Sequence, residues 1–177
     1  MVPDSVFISE AALEIIKANA FAEAPLECCG LLLGRFAPPP DEAAAAARAF
    51  EEELGLSGGG VDGEGGGFSI PLPDVLTIDE AAPARNASTE PTRYLVEPED
   101  HFRILRAARR RGVDIVGAYH SHAITRPVPS ETDLAEAHPN FLYLIASPDW
   151  DTGTRCEYRA WWLVAGNFQE VTLVPVP

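Results

Sequence analysis

Apolar positions in the first part of the chain predict a helix followed by a strand. Helical spacing of apolar residues between Ala12 and Ala20 predicts the helix. It starts at Asp4 or Ser9 and ends before Pro25. The run CCGLLLGRF that follows is short, apolar and punctuated by glycines, which is typical of a buried strand. Periodicity alone also allows a helical segment there.

The second part of the chain alternates extended and helical patterns. FSIPLPDVLTIDEAAPARNASTEPTRYLV predicts short extended pieces split by prolines, and Pro98–Arg111 predicts a helix. VDIVGAYHSH predicts a strand, and a helix begins near Ser130 and ends by Pro139. FLYLIAS, CEYRAWWLV and FQEVTLVPV are rich in aromatic and β-branched residues and predict three more strands. This order predicts the α/β class, with helices packed against a mixed sheet.

The 177 residues are predicted to form one domain, residues 1–177, with an insertion at about 37–67. The insertion opens with prolines and closes with seven glycines between Gly58 and Gly67. Its middle could form an alanine-rich helix, and the glycine run is typical of a flexible linker. A phosphate-binding loop is not favoured, because the Gly-Lys-Ser/Thr ending is missing.

Charge narrows the range of partners. The formal net charge is -14, from 27 acidic and 13 basic residues, and Lys17 is the only lysine. Because a nucleic-acid binder neutralises phosphates with a basic surface, no nucleic-acid partner is expected. Five arginines on the predicted helix Pro98–Arg111 are interpreted as a solvated face, with a docking patch for an acidic partner as the alternative. The inward-facing residues of that helix are predicted to be Phe102, Leu105 and Ala108.

The N-terminus lacks a basic lead followed by an apolar run, so we expect no signal peptide. No apolar run approaches the roughly 20 residues that span a bilayer, so no membrane partner is expected. Cys28, Cys29 and Cys156 do not make a paired disulfide framework. A cytoplasmic location fits these features. The oligomeric state is open, and a homodimer is compatible with the sequence.

Candidate metal ligands lie in the stretch GAYHSHAITRPVPSETD. Successive side chains of a strand point to opposite faces, so His120 and His122 should project to one side, with Ser121 away from them. Neutral imidazoles bind zinc, and a catalytic zinc usually has three protein ligands, for which Asp133 is the natural third. Two alternatives stay open: a structural histidine pair, and a helix capping box formed by Ser130 and Asp133. The box and ligation are partly compatible, because an aspartate has two oxygens.

The spacing from His120 to Asp133 matches HxHx7SxxD, so the chain resembles the JAMM (MPN+) zinc metallopeptidases. PLECCGLLLGR resembles the E-x-C-G-L-L-x-G segment that carries the family's catalytic glutamate, which maps onto Glu27. NASTEPTRYLVEPED resembles bacterial members, so the resemblance covers the chain outside the insertion. It implies an MPN fold: a curved mixed β-sheet flanked by helices, with a cytidine-deaminase-like layout.

The resemblance also implies chemistry. One catalytic Zn²⁺ would be held by His120, His122 and Asp133, with Glu27 as general base for the zinc-activated water. Ser130 would donate a hydrogen bond to the oxyanion. The implied reaction is hydrolysis of a peptide or isopeptide bond after the C-terminal Gly-Gly of a ubiquitin-like or sulfur-carrier protein. That partner would dock by adding a strand to an exposed sheet edge.

Some residues differ from the family pattern or are not explained by it, and some alternative functions stay open. Ala123 stands where many members have proline, so we expect a changed turn but not lost ligation. The insertion is predicted to be a flap or linker beside the cleft. Cys29 is expected to be buried packing, and Cys28 has no assigned role. A non-catalytic MPN scaffold and a RadC-like protein of DNA repair stay open as alternatives. A zinc nucleobase deaminase is not favoured, because its H-x-E and P-C-x-x-C signatures are missing.

Overall fold

The computed structural model describes residues 2–3, 5–37 and 75–177. Three helices and seven strands lie within these residues. Their bounds are β1 Ser5–Ser9, α1 Glu10–Glu23, β2 Cys29–Ala37, β3 Val75–Ala84, α2 Pro98–Arg111, β4 Asp114–Ser121, α3 Glu131–Glu136, β5 Leu142–Asp149, β6 Arg155–Val164 and β7 Asn167–Val176. The predicted α/β class and mixed sheet are confirmed.

The described strands form a closed barrel in the order β1-β3-β2-β4-β5-β6-β7. Strand β1 runs parallel to β3 and β7, and β4 runs parallel to β5, whereas the other neighbours are antiparallel. Each described strand therefore has two partners. Closure leaves only short free edges, such as residues 80–84 of β3, because β1 pairs with β3 only from Leu76 to Ile78. Docking of a partner protein by strand addition therefore stays a prediction.

Helix α1 begins where the sequence indicated. The Ser9 side chain accepts a hydrogen bond from the N–H of Ala12 at 3.1 Å, which is an N-cap. Ala12, Ile16 and Ala20 are the buried positions, and they pack into the larger core cluster with strand residues such as Ile78. The short strand β1 before this helix was not predicted, because the sequence analysis allowed the helix to start at Asp4.

Helix α2 has the predicted bounds, and of its predicted inward residues Ala108 is buried but Phe102 is not. Ile104 and Ala108, four residues apart, are buried against β2 and β4 residues in a second apolar cluster. Phe102 is 62% exposed, so its predicted inward position is wrong. The helix ends at Gly112, whose φ of 69° is the left-handed conformation that glycine adopts without strain.

The insertion predicted at 37–67 lies outside the described residues, apart from Ala37. Ala37 ends β2 and pairs with Val75, so the chain leaves and re-enters the barrel at adjacent positions. Glu27 precedes the opposite end of β2, about 30 Å away at roughly 3.3 Å per residue. A flap over the cleft would have to reach back over that distance. Strand β3 then runs unbroken to Ala84, where short pieces split by prolines were predicted.

Strand register brings the candidate residues to one end of the barrel. Cys29 of β2 pairs with His120 of β4, and the Ser121 N–H donates to the Cys28 carbonyl at 3.1 Å. Continuing this antiparallel register sets Glu27 beside His122. The His122 N–H in turn donates to a carbonyl of β5. Among the described helices, none has the length and apolar character that crossing a membrane requires.

Candidate metal centre

The side chains of His120, His122 and Asp133 converge at this end of the barrel. Their candidate ligand atoms all lie within 4.8 Å of one another. The two Nε2 atoms are 3.1 Å apart, and the Asp133 carboxylate oxygens lie 3.2 Å from His120 Nε2 and 3.5 Å from His122 Nε2. The two histidines are only 1% and 6% exposed. Both imidazoles therefore face one point, with Asp133 opposite them.

Neighbouring groups orient the two rings. His122 Nδ1 lies 3.0 Å from the carbonyl oxygen of Arg126. Since a carbonyl only accepts, we assign a proton to Nδ1, which makes Nε2 the nitrogen that can bind a metal. Tyr94 stacks on His120, with ring centroids 4.4 Å apart and planes at 18°. His120 Nδ1 is buried without a hydrogen-bond partner among the described residues, so the Tyr94 stack and the contact of Nε2 with Asp133 orient this ring.

Ser130 and Asp133 form the capping box at the start of α3. Ser130 Oγ accepts from the Asp133 N–H at 3.1 Å, and Asp133 Oδ2 accepts from the Ser130 N–H at 2.6 Å. The Ser130 hydroxyl donates to the same Oδ2 at 2.6 Å. Asp133 Oδ1 faces His120 instead. The capping interpretation is thus present in the structure, and it leaves Oδ1 outside the cap and directed at His120, while the capping oxygen Oδ2 lies 3.5 Å from His122 Nε2.

The protonation preferences of this group fit a divalent cation. Burial lowers the pKa of His120, which favours the neutral imidazole that binds metals. Burial opposes charge on Asp133, but hydrogen bonds from both histidines outweigh it and lower the pKa, so the carboxylate stays ionised.

Burial also opposes charge on His122, yet hydrogen bonds to Asp133 and to the Arg126 carbonyl raise its pKa overall. A proton on His122 Nε2 would occupy the position on the imidazole that a metal takes, so metal binding requires the ring to be neutral. Two imidazole nitrogens and one carboxylate oxygen make a three-ligand set compatible with a catalytic zinc site.

Glu27 lies beside this group and is 6% exposed. It lines a cavity of about 360 Å³ together with His122 and Ser130. Burial raises the pKa of Glu27 to about 7, with His122 acting to lower it and Asp133 to raise it. A carboxyl group that titrates near neutral pH is suited to accept and return a proton. The structure thus brings together all five residues that the sequence analysis singled out.

The loop between His122 and Ser130 is held by its carbonyl groups. Trp150 Nε1 donates to the Ala123 carbonyl, Ser147 Oγ to that of Thr125 at 2.5 Å, and Trp161 Nε1 to that of Pro127 at 3.1 Å. With the His122 ring on the Arg126 carbonyl, four side chains anchor the loop that carries Ala123 in place of the usual proline. Sequence reasoning missed these donors, because three of them lie on or just after β5 and on β6.

The cysteines and the other two histidines have no role in the candidate metal centre. Cys28 and Cys29 are buried, and burial raises the pKa of each thiol to about 12, which does not favour a thiolate nucleophile. His101 and His138 are exposed on or near helices. The sequence analysis gave Tyr94 and Asn86 no role. The segment NASTEPTRYLV, which contains both residues and resembles bacterial members of the family, was the signal that could have identified them.

Comparison with known proteins agrees with this geometry. Residues 9–164 match the family described as prokaryotic homologs of the JAB domain, which covers most of the chain. The chain belongs to this family. It is 45% identical over 78 residues to the desampylase of Haloferax volcanii, a match that covers 43% of this chain and 56% of that protein.

A protein of Thermus thermophilus named "Probable TtuB-protein conjugate cleaving protease" is 33% identical over 98 residues, or 55% of this chain and 60% of that protein. The chain therefore matches little more than half the length of these relatives. A solution structure of a protein from Desulfitobacterium hafniense has a TM-score of 0.69 at 20% identity. That match covers 97% of this chain and 92% of the other, and it supports the fold alone.

Proposed function

We propose that this protein is a zinc-dependent isopeptidase that hydrolyses the bond after the C-terminal Gly-Gly of a ubiquitin-like or sulfur-carrier protein. The observation that supports this proposal most strongly is that Glu27, His122 and Ser130 line one cavity, next to His120 and Asp133. Membership in the family supports the hydrolytic class, and the names of the relatives support a protein conjugate as substrate.

His120, His122 and Asp133 would hold the metal. Zinc bound there would supply a Lewis acid, which lowers the pKa of a water and polarises the substrate carbonyl. Glu27 accepts the proton of the attacking water on its carboxylate and returns it to the leaving nitrogen. A pKa near 7 suits both transfers, since the group gains and loses a proton with little free-energy cost at neutral pH.

The Ser130 hydroxyl must turn away from Asp133 before it can donate a hydrogen bond to the oxyanion. This hydroxyl donates to Asp133 Oδ2 in this structure. Rotation about the Ser130 side chain would turn that donor toward the cavity, which Ser130 lines. Asp133 Oδ2 would still accept from the Ser130 N–H, so the carboxylate keeps one anchor while the hydroxyl donates to substrate.

The cavity walls suit a tail without side chains. Pro25, Pro91 and Ile124 line it together with the polar residues, and Glu27 and His122 are both buried. A substrate backbone must therefore approach buried groups closely, and glycine has no Cβ to obstruct that approach. This favours a Gly-Gly terminus over residues with larger side chains.

The test is cleavage of a sampylated protein and of a TtuB–protein conjugate by the zinc-loaded protein. We expect release of the carrier with its Gly-Gly end intact, read by mass spectrometry, and loss of cleavage after chelation or in Glu27→Gln. Glu23→Gln, which changes an exposed glutamate at the end of α1, is the matched control. A zinc-bound protein that cleaves neither conjugate would favour the non-catalytic MPN scaffold.

A further inference from the structure

Two side chains hold the peptide unit that joins Glu27 to Cys28. The Glu27 carbonyl accepts a hydrogen bond from Asn86 Nδ2 at 2.9 Å. The Cys28 N–H donates to Ser121 Oγ, also at 2.9 Å. The carbonyl and the N–H belong to one planar amide, so this plane is fixed at both of its polar ends.

Asn86 uses every hydrogen-bonding position of its amide. Nδ2 donates to Glu27 and, at 3.1 Å, to the Arg93 carbonyl. Oδ1 accepts from the Ser88 and Leu95 N–H groups, each at 2.9 Å. A side-chain amide offers two donor hydrogens and two acceptor lone pairs, so Asn86 is saturated and the pattern fixes which end is nitrogen. One side chain therefore joins Glu27 to both ends of the 87–95 loop.

That loop forms part of the candidate site. Pro91 and Thr92 line the cavity that contains Glu27, and Tyr94 stacks on His120. The loop base is closed by backbone pairing of Asn86 with Val96. The contacts of Asn86 thus set the loop and the Glu27 backbone relative to each other.

Ser121 provides the second link, to the metal side of the site. It lies between His120 and His122 and is fully buried. Because side chains alternate along a strand, its hydroxyl lies on the face opposite the imidazoles. There it accepts from the Cys28 N–H. A shift of Glu27 relative to the two histidines would break this hydrogen bond.

We propose that Asn86 and Ser121 are positioning residues that clamp the Glu27–Cys28 peptide and so hold the Glu27 carboxylate in place beside the metal ligands. This inference rests on the proposed function, in which Glu27 is the general base. A base must lie within hydrogen-bond reach of the proton it takes, so a displaced backbone lowers turnover more than substrate binding. Neither residue touches the reacting atoms.

The first test is a double-mutant cycle with Asn86→Ala and Ser121→Ala, each zinc-loaded and assayed on a TtuB–protein conjugate. We expect each change to lower kcat by roughly 10–100-fold while KM stays within about twofold. The double variant should lose less than the product of the two factors, because both act on one peptide. Ser88→Ala is the control, since it removes a hydroxyl from the same loop but keeps the Ser88 N–H bond to Asn86.

The second test is amide hydrogen exchange at Cys28, which needs no turnover. We expect Ser121→Ala and Asn86→Ala each to raise the exchange rate of the Cys28 N–H by about tenfold or more, at unchanged zinc content. The free energy of global unfolding should stay well above that of the local opening that exposes this N–H. Where Asn86→Ala does not fold, Asn86→Asp replaces it, because the aspartate keeps both acceptor contacts with the loop and loses only the donors to the Glu27 and Arg93 carbonyls.

The outcomes separate this inference from the proposed function. If the wild type is active, two results would overturn the clamp. Either the variants keep the wild-type kcat, or the double variant loses kcat by the product of the two single-variant factors. A wild type that cleaves no conjugate would overturn the proposed function and the catalytic role of the clamp together. In that case unchanged Cys28 exchange in both variants would also overturn the clamp as a structural unit.

Discussion

Replacing Glu27 with glutamine should make the metal-free protein more stable above neutral pH while it removes turnover. The carboxyl group is 6% exposed, and burial is the main cause that raises its pKa from 4.5 to about 7. At about 1.36 kcal/mol for each pH unit, this corresponds to roughly 3 kcal/mol. That is the free energy by which folding disfavours the ionised form.

The sign follows from proton linkage. Below pH 4.5 the carboxyl is protonated in the folded and unfolded states, and it costs nothing. Between pH 4.5 and about 7 the folded protein binds the proton more tightly, so the free energy of unfolding falls as pH rises. Above that range the full roughly 3 kcal/mol is lost. Glutamine is neutral throughout and escapes this loss.

The assay is urea unfolding of chelator-treated wild type and Glu27→Gln at pH 5 and pH 8. We expect the variant to be more stable by about 3 kcal/mol at pH 8 and by about 1 kcal/mol or less at pH 5. Glu23→Gln, at an exposed glutamate four residues away, is the control for the removal of one carboxylate. In the zinc-loaded enzyme, loss of the base should lower kcat by about 10²–10⁴-fold. An equal stability difference at both pH values would refute the reasoning.

Two further predictions concern the supports of the site. Trp161→Phe removes the donor to the carbonyl of the buried Pro127, so we expect a loss of about 1 kcal/mol in urea unfolding, and an unchanged midpoint would contradict the loop anchor. The backbone N–H and then the guanidinium of Arg85 hold the pKa of Asp100 at about 2. Asp100→Asn should therefore be less stable than wild type above pH 4, and the gap should close as pH falls from about 4 to 2; a constant gap would show that the Asp100 charge plays no part.

Local signals explain which elements the sequence predicted well. Helix α2 was bounded correctly because Pro98 stands at its first turn and Gly112 at its end, and both act through backbone geometry. Its inner face was predicted only in part: Ala108 is buried as predicted, but the apolar Phe102 suggested burial where Ile104 is the packed residue. Closure of the barrel depends on long-range pairs such as β1 with β7, which no local pattern reports.

The same division holds within the candidate site. The approach of His120 to His122 follows from strand alternation, and the link from Ser130 to Asp133 follows from helix capping. Glu27 needed the family resemblance, because an isolated glutamate before a strand has no distinguishing pattern. Asn86 and Ser121 reach the Glu27–Cys28 peptide across 59 and 93 residues of sequence, and only the folded chain brings them together.

Zinc content per chain, measured by plasma emission spectroscopy, tests the central claim most directly. Wild type, Asp133→Ala and the control Asp151→Ala would be purified side by side without added metal, then reconstituted. The account predicts about one zinc in wild type and in Asp151→Ala, and a large loss in Asp133→Ala, because Asp133 supplies one of three ligands. Wild type without zinc even after reconstitution, or Asp133→Ala with a full complement, would contradict the account.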